Sequence, residues 1–500
     1  MSSNHPVRRA LSTTLLAAIF PAALHAQSAA GASNEELDQR IRVLERQLEI
    51  QKEDADNKAK DGSTASAGEK GFTIKNADGS FQFAFRGLLQ ADGRFFLADH
   101  NPEGISGYRY NDSFLLRRVE PTFELTFNKY LFFRLQPQFS GDTASTSDVY
   151  GELRLFPEFA VRAGKFKEPV GLEQLQPTGS ITFIERGLPS ELAPNRDIGV
   201  QLQGDLFTSR LNYAVGVFNG APDGRDAAAT DVDNHKEIAA RLFSEPFRAQ
   251  PGLLQGLGFG VAGSYGRKET SDVSPTVATA LGAVNSFLPR YRSPGQNPVF
   301  AYRSSSTPTL ANTVQADGDQ TRFAPQFYWY HDNVGLLGEY TQSREQVQLG
   351  GVDHIFTNQA WQALANYVIT GEDAGYRGVA RPAHPFLIGQ PGWGAFEVAL
   401  RYGRLDVDND VFDGARTNIG TAFADPTKSI SGETDYGVAF NWYFNANFKL
   451  AVNYDLTTFD GGAGTSAAAV AGPPAVPAHV TAVSDRPAER ALFARFQIAF

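Results

Sequence analysis

The run Phe81-Gln-Phe-Ala-Phe-Arg-Gly-Leu-Leu-Gln-Ala-Asp-Gly-Arg-Phe-Phe-Leu97 decides the fold. Phe81, Phe83 and Phe85 alternate with Gln82, Ala84 and Arg86, and the polar residues Arg86, Gln90, Asp92 and Arg94 keep one parity. Successive side chains of an extended chain point to opposite faces, so this is a strand with one apolar and one polar side. The next run sets Val119, Pro121, Phe123, Leu125 and Phe127 against Arg118, Glu120, Thr122 and Glu124. A third sets Leu131, Phe133, Leu135 and Phe139 against Arg134, Gln136 and Gln138. Thirteen more follow between Val149 and Phe500, making sixteen, an even number as a closed barrel requires.

A soluble β-sandwich alternates too, so the period alone leaves two architectures open. The polar face separates them: it recurs on almost every strand, as a water-filled lumen demands, while Tyr436, Val438, Phe440 and Trp442 form a continuous apolar outer side. Connections Asn128–Tyr130, Pro157–Glu158, Thr208–Arg210 and Asn445–Asn447 are tight, whereas Lys268–Gln320, Gly371–Trp393 and Asp460–Ala488 are long. Short periplasmic turns and long outer loops give that rhythm. The last strand carries Leu492, Ala494, Phe496, Ile498 and the terminal Phe500 on one face. That ending resembles the signal read by the barrel-assembly machinery of bacterial outer membranes, so outer-membrane lipid and that machinery, through Phe500, are expected partners.

Composition agrees. Aromatics are 12% of 500 residues, with 38 Phe and 48 Gly, yet mean hydropathy is −0.29, as suits a wall shared between lipid and water. The chain has no cysteine, which excludes disulfides and thiolate chemistry. Beyond the N-terminus no stretch reaches the roughly 18 apolar residues of a membrane helix.

At the N-terminus, Arg8-Arg9 precede an apolar run from Ala10 to Ala23, and Leu24-His25-Ala26 then reads as a small-residue cleavage site before Gln27. Together they make a secretory signal peptide over 1–26. The rest of a twin-arginine motif is missing. Residues 27–34 are small and polar, which predicts disorder. Over 35–57, Leu37, Ile41, Leu44, Leu48, Gln51 and Ala55 alternate steps of four and three, the seam of a periplasmic coiled coil; a lone solvated helix is the alternative. Residues 58–71 read as a linker, and 72–500 as the barrel.

Nothing converges on catalysis. The histidines stand at no ligand spacing, no nucleophile elbow, His-Glu-x-x-His or phosphate loop occurs, and Asp406-Val-Asp-Asn-Asp410 lacks a full calcium-loop pattern. No enzyme activity, cofactor, metal or nucleic-acid partner is expected.

Several segments resemble the phosphate-selective porins O and P: Phe83-Ala-Phe-Arg-Gly-Leu-Leu-Gln-Ala-Asp92, Phe114-Leu-Leu-Arg-Arg118, Arg162-Ala-Gly-Lys-Phe-Lys-Glu-Pro-Val-Gly-Leu-Glu173, Phe183-Ile-Glu-Arg186, Pro194-Asn-Arg-Asp-Ile-Gly199 and Trp393-Gly-Ala-Phe-Glu397. The resemblance spans about Phe72 to Phe500. It implies an all-β fold, a 16-stranded antiparallel transmembrane barrel assembled as a homotrimer, with a loop folded into each pore and basic residues that bind small anions in transit. Carried onto this chain, the constriction loop is 168–196, and the anion-binding candidates are Arg86, Arg117, Arg118, Arg134, Arg162, Lys165, Lys167, Arg186 and Arg196.

The chain departs from that pattern in one respect. Phosphate-preferring members carry a dense arginine ladder, whereas 221–241 offers Arg225, Lys236 and Arg241 against Asp223, Asp226, Asp231, Asp233 and Glu237. Two readings of the pore stay open. Arg86, Arg118, Arg134 and Arg162, from neighbouring strands, form one basic wall facing Arg186, or opposed acids make the transverse field of a general, cation-tolerant porin. A plugged structural or adhesive barrel is the alternative from another class.

Overall fold

The computed structural model describes residues 34–97, 110–141, 144–227, 229, 231, 233–270, 287–305 and 309–500. The expected signal peptide and residues 27–33 lie outside them. The chain divides into two units, Met1–Asp61 and Gly62–Phe500.

The described part of the first unit is one helix, α1 (Asn34–Asp61), opening with Glu35 and Glu36, which suit the positive end of the helix dipole. Leu37, Ile41, Leu44 and Leu48 are all about half exposed or more. Ion pairs Arg42–Asp38 (2.9 Å) and Arg46–Glu49 (3.0 Å) decorate the helix. It runs past the expected end at Asn57, and the stretch expected as a linker continues into paired strands. These are β1 (Ser63–Gly68) and β2 (Gly71–Asn76), a hairpin in which Phe72 lies opposite Phe85 of the next strand.

The second unit continues through β3 (Phe81–Phe96), β4 (Ser113–Phe127), β5 (Leu131–Gln138), β6 (Ser145–Phe156), β7 (Phe159–Lys167), β8 (Arg196–Leu206), β9 (Leu211–Phe218), β10 (Glu237–Ser244) and β11 (Leu257–Glu269). After a separate hairpin, β12 (Arg290–Arg292) and β13 (Pro298–Ala301), come β14 (Gln315–His331), β15 (Val334–Leu349), β16 (Val352–Val368), β17 (Ala395–Asp406), β18 (Ile430–Tyr443) and β19 (Phe448–Ala467). β20 (His479–Asp485) pairs only with β19, and β21 (Glu489–Ala499) completes the chain. Neighbours pair antiparallel from β3 to β19, leaving out the β12–β13 hairpin; β21 then joins β19 to β3, with Arg495 opposite Asp92. Among the described residues, therefore, sixteen strands close into a barrel. Closure leaves no sheet edge to face lipid, the condition for a sheet to cross a membrane.

Outward residues form the expected band. Toward one end stand Tyr265, Tyr340, Trp361, Tyr402, Tyr436 and Tyr454, with Tyr402 5.1 Å from Tyr436 and 5.2 Å from Trp361. Toward the other stand Trp329, Tyr367, Phe396, Trp442 and Phe448. On β18 the two belts, at Tyr436 and Trp442, are six residues or about 20 Å apart along the strand, with the outward Val438 and Phe440 between them.

The end with turns 128–130, 157–158, 207–210 and 444–447 also carries Phe500, and short turns mark the periplasmic side. One expectation is corrected there. Length alone groups the connection Gly371–Trp393 with the outer loops, but β15 and β16 are joined by just Gly350-Gly351 at the opposite end. The β16–β17 connection therefore belongs with the tight turns. Strand order, not loop length, fixes the side on which a connection lies.

Candidate functional site

Residues 168–195 leave β7, enter the lumen and return to β8. Pro169 and the left-handed Gly171 (φ 84°) break the strand, and a short helix, α2 (Leu172–Leu175), follows. Its first amides donate to one carboxylate on the wall: Leu172 N–H to Glu339 at 2.6 Å and Glu173 N–H to the same group at 3.3 Å. Glu173 in turn accepts from Gly187 N–H (2.7 Å) and from Gln362 (2.9 Å). The loop approaches Gln362 so closely at Gly187 that an added Cβ would lie 1.7 Å from its Oε1. Any side chain at 187 would have to displace the end of Gln362.

Polar wall residues then hold loop carbonyls, four of them along 181–185. Lys449 donates to Ile181 O (3.0 Å), Asn441 to Thr182 O (2.9 Å), Arg495 to Ile184 O (2.6 Å) and Arg401 to Glu185 O (2.9 Å). Arg401 also lies over the Phe183 ring at 4.2 Å, and Phe183 is buried with Leu172, Leu337 and Leu364. The loop is thus packed against β14–β19 and β21, and the space it leaves is on the opposite side, along β4–β8.

That space is a polar cavity of about 350 Å³, between Arg117, Arg118 and Glu120 of β4 and Glu185, Arg186 and Glu191 of the loop, with Arg196 at the start of β8. Arg225 and Arg292 from outer connections complete its basic lining. A register shift between Gln90 and Ala91 turns Arg117 inward next to Arg118, where simple alternation would point it out.

Charges in the cavity are unequally compensated. Glu185 receives Arg117 through two contacts (2.8 and 3.1 Å), Arg94 at 2.7 Å and Arg495 at 3.5 Å. Burial pushes this carboxyl up, but Arg117, with Arg495 and Arg118, outweighs burial and holds it well below the usual carboxylate range. Arg196 pairs with Asp148 at 2.7 Å. Arg118 and Arg186 differ from these. Arg118 donates to Gln90 (2.8 Å), and its nearest carboxylate among the described residues is Glu120 at 3.9 Å. Arg186 donates to the carbonyls of Glu173 (2.9 Å) and Gln176 (3.0 Å), with no ion pair among the described residues. Across from them, burial, offset only in part by Arg292, pushes Glu191 up to about 7. Among the described residues, neither the Arg118 nor the Arg186 guanidinium is hydrogen-bonded to a carboxylate: Arg118 keeps only the looser pair with Glu120, and both line the cavity.

Of the nine candidates, Arg117, Arg118, Arg186 and Arg196 come together here. Lys167 stands beside them, donating to Gln174 O at 2.6 Å, and Lys165 pairs with Asp226 at 3.5 Å. Of the other three, Arg86 and Arg162 stand apart from Arg118, whereas Arg134 reaches the Asp148 that Arg196 also holds. Arg86 pairs with Glu124 (3.0 Å), Arg162 with Glu152 (2.6 Å), and Arg134 sits between Glu124 (3.6 Å) and Asp148 (3.7 Å). Arg134 lies opposite Glu124, six residues or about 20 Å along β4 from Arg118. Sequence reasoning passes over Arg94, Arg401 and Arg495 as site residues although their parity places them in the lumen; their partners are loop atoms that parity cannot name.

The model of the family described as phosphate-selective porin O and P matches residues 89–461. Among solved structures, the chain is similar to the outer membrane channel DcaP of Acinetobacter baumannii, with 9% identity and a TM-score of 0.47 over 85% of this chain and 99% of that one. It is similar also to OmpT, an outer membrane protein of Vibrio cholerae, in its trimer form (8%, 0.47, 84% and 100%), and to OprB of Pseudomonas putida (11%, 0.44, 85% and 95%). No curated protein matches the chain.

Proposed function

The chain belongs to the phosphate-selective porin O and P family, and from that premise we propose that its outer-membrane channel passes small hydrophilic solutes passively and prefers anions, phosphate or polyphosphate among them. One observation carries this reading: among the described residues, Arg118 and Arg186 line one cavity with no carboxylate hydrogen-bonded to either, the nearest being Glu120 at 3.9 Å from Arg118. Guanidinium stays charged at any working pH and its fork fits two oxygens of a phosphate-like anion. Each of the two keeps part of its donor set engaged with neutral groups, so an anion meets a few partly hydrated contacts rather than a cage. Conduction needs that balance, since an ion must leave as readily as it enters.

The test is the reversal potential of single channels in planar bilayers across a chloride gradient, with phosphate then added to look for block. A cation-selective reversal potential in the unmodified protein sinks the anion reading. Anion selectivity without phosphate block leaves a general anion channel.

The same reading includes export by the signal peptide, insertion directed by Phe500, and a trimer. The outward face of β3–β8 has no Tyr or Trp among its described residues and offers Gly87, Ala91, Gly93, Gly151 and Ala163 between Phe and Leu side chains. A face without interfacial aromatics suits protein neighbours better than lipid headgroups. The exposed Leu and Ile stripe of α1 supports a second joint between copies in the periplasm. Light scattering in mild detergent on the full chain and on one lacking 35–57 tests both: three copies, and a weaker assembly after deletion.

A further inference from the structure

The β16–β17 connection is long between the tight turns 332–333 and 444–447 beside it, and its two halves behave differently. Its first half enters the lumen from the periplasmic side. Tyr376 stacks on Tyr328 at 5.3 Å, donates its hydroxyl to Leu172 O (2.5 Å) and accepts at its own carbonyl from Gln176, so it holds both ends of the constriction loop's short helix. Its second half, His384-Pro-Phe-Leu-Ile-Gly-Gln-Pro-Gly-Trp393, turns outward. Phe386 packs edge-on against Trp442 (5.7 Å) and Phe444 (5.6 Å), and Trp442 donates its indole N–H to Trp393 O at 2.7 Å. Trp442 belongs to the outward aromatic belt nearest the periplasm. Beyond that contact Ile388 is 97% exposed, next to Leu387 and across the turn from Trp393, both also exposed.

We propose that this connection is a lipid-anchored brace: its apolar tip sits in the periplasmic leaflet of the outer membrane, and its base holds the constriction loop in place. Bare aliphatic side chains continuous with an interfacial aromatic belt are placed to enter the headgroup and upper acyl region, where Trp and Phe partition and where Leu and Ile leave water. The hydrogen bonding through Tyr376 then ties the lipid-facing tip to the pore. This rests on the barrel crossing a membrane and is independent of which ions it prefers.

The chain lacks cysteine, so Ile388→Cys gives one labelling site on the full-length protein. The label is an environment-sensitive bimane, in vesicles of phosphatidylethanolamine and phosphatidylglycerol with lipids brominated at graded depths. Blue-shifted emission, quenched most by bromines near the glycerol region, is expected at position 388. Asp373→Cys, on the exposed part of the same connection, should stay water-like, and channel conductance shows that both variants are folded. Water-like emission at 388 in a conducting channel overturns the proposal. So does blue-shifted emission that no brominated lipid quenches, which would put a protein neighbour on the tip. In a second arm, Leu387→Asp with Ile388→Asp should raise open-channel current noise at least two-fold with the mean conductance kept. Unchanged noise would remove the brace while leaving the anchor.

Discussion

The two sides of this lumen carry similar cations and use them in opposite ways. Along β17, β19 and β21, Arg401, Lys449 and Arg495 turn to the constriction loop's carbonyls, and the two arginines are also closed by acids: Arg401 by Asp435 (2.9 Å) and Asp455 (3.0 Å), Arg495 by Asp92 (2.7 Å). Across the pore, Arg118 of β4 and Arg186 of the loop line the cavity with no partner among the described residues nearer than 3.9 Å carrying a full negative charge. Counting lumen-facing arginines therefore says little about selectivity. What matters is whether each positive charge is already answered by the protein. The first set holds the constriction loop, and on the function proposed above the second gives the pore its sign.

The strongest way to break that division is to remove a cation from the structural side. Arg401→Met leaves Asp435 and Asp455 facing each other in a buried site and frees Glu185 O. Breaking one partner from a buried pair costs about 3–5 kcal/mol. The urea midpoint of barrel unfolding should fall markedly, and in the channels that still form, conductance should rise and become noisy as the loop loosens. A variant as stable and as quiet as the parent would show that the loop is held by packing alone.

Removing charge from the other side should do the reverse. Arg118→Gln with Arg186→Gln keeps hydrogen-bonding capacity and deletes both charges. A unit charge about 4 Å from an ion in water is worth about 1 kcal/mol, or roughly five-fold in occupancy. The anion-to-cation permeability ratio should drop several-fold while the unfolding midpoint holds within the scatter of a surface change. If selectivity stays put, the sign is set elsewhere, with Arg225 and Arg292 next in line.

Much of this is open to reading from the sequence alone. Period-two alternation is local, so the sixteen strands are where the sequence places them. The division of labour between arginines is not. Asp92 and Arg495 are 403 residues apart and meet only because the barrel closes. Arg117 points inward through a bulge, which alternation does not announce. The four carbonyls that receive Lys449, Asn441, Arg495 and Arg401 carry no signature at all, because every residue has one. The side taken by the 371–393 connection follows from counting strands through Gly350-Gly351, a turn too short to stand out in a polar stretch.

Acidity should sharpen the contrast from the pore side. Glu191 titrates near 7, pushed up by burial and by Glu185 and Asp223, while Arg292, whose N–H it accepts at 3.0 Å, works against the rise. An acid with a raised pKa is neutral below that value and charged above it. From pH 6 to pH 8 the cavity therefore gains a negative charge, and anion preference should decline, by less than about two-fold given the screening of a wet site. Glu191→Gln should hold the low-pH preference throughout. A preference that rises with pH would contradict the assignment.

The smallest effect belongs to the cations that sequence alternation groups with Arg118. Arg86, Arg134 and Arg162 sit toward the tight-turn end, and each lies within ion-pair distance of Glu124, Asp148 or Glu152. Arg162 lies five residues or about 17 Å along β7 from Lys167, which is opposite Arg196, against a Debye length of about 8 Å at physiological salt. Two reductions act together: the field of each is cancelled locally by its carboxylate, and what remains is screened before it reaches the constriction. Arg162→Gln is the cleanest case, because Glu152 keeps Arg154 and Gln203 as partners, so no buried charge is orphaned. Its reversal potential should match the parent's to within a few millivolts at physiological salt. Lowering the salt to about 0.01 M stretches the Debye length to about 30 Å, and only there should a small loss of anion preference emerge. A large shift at high salt would mean that ions pass close to Arg162, and that the selective stretch of the pore runs well below the loop.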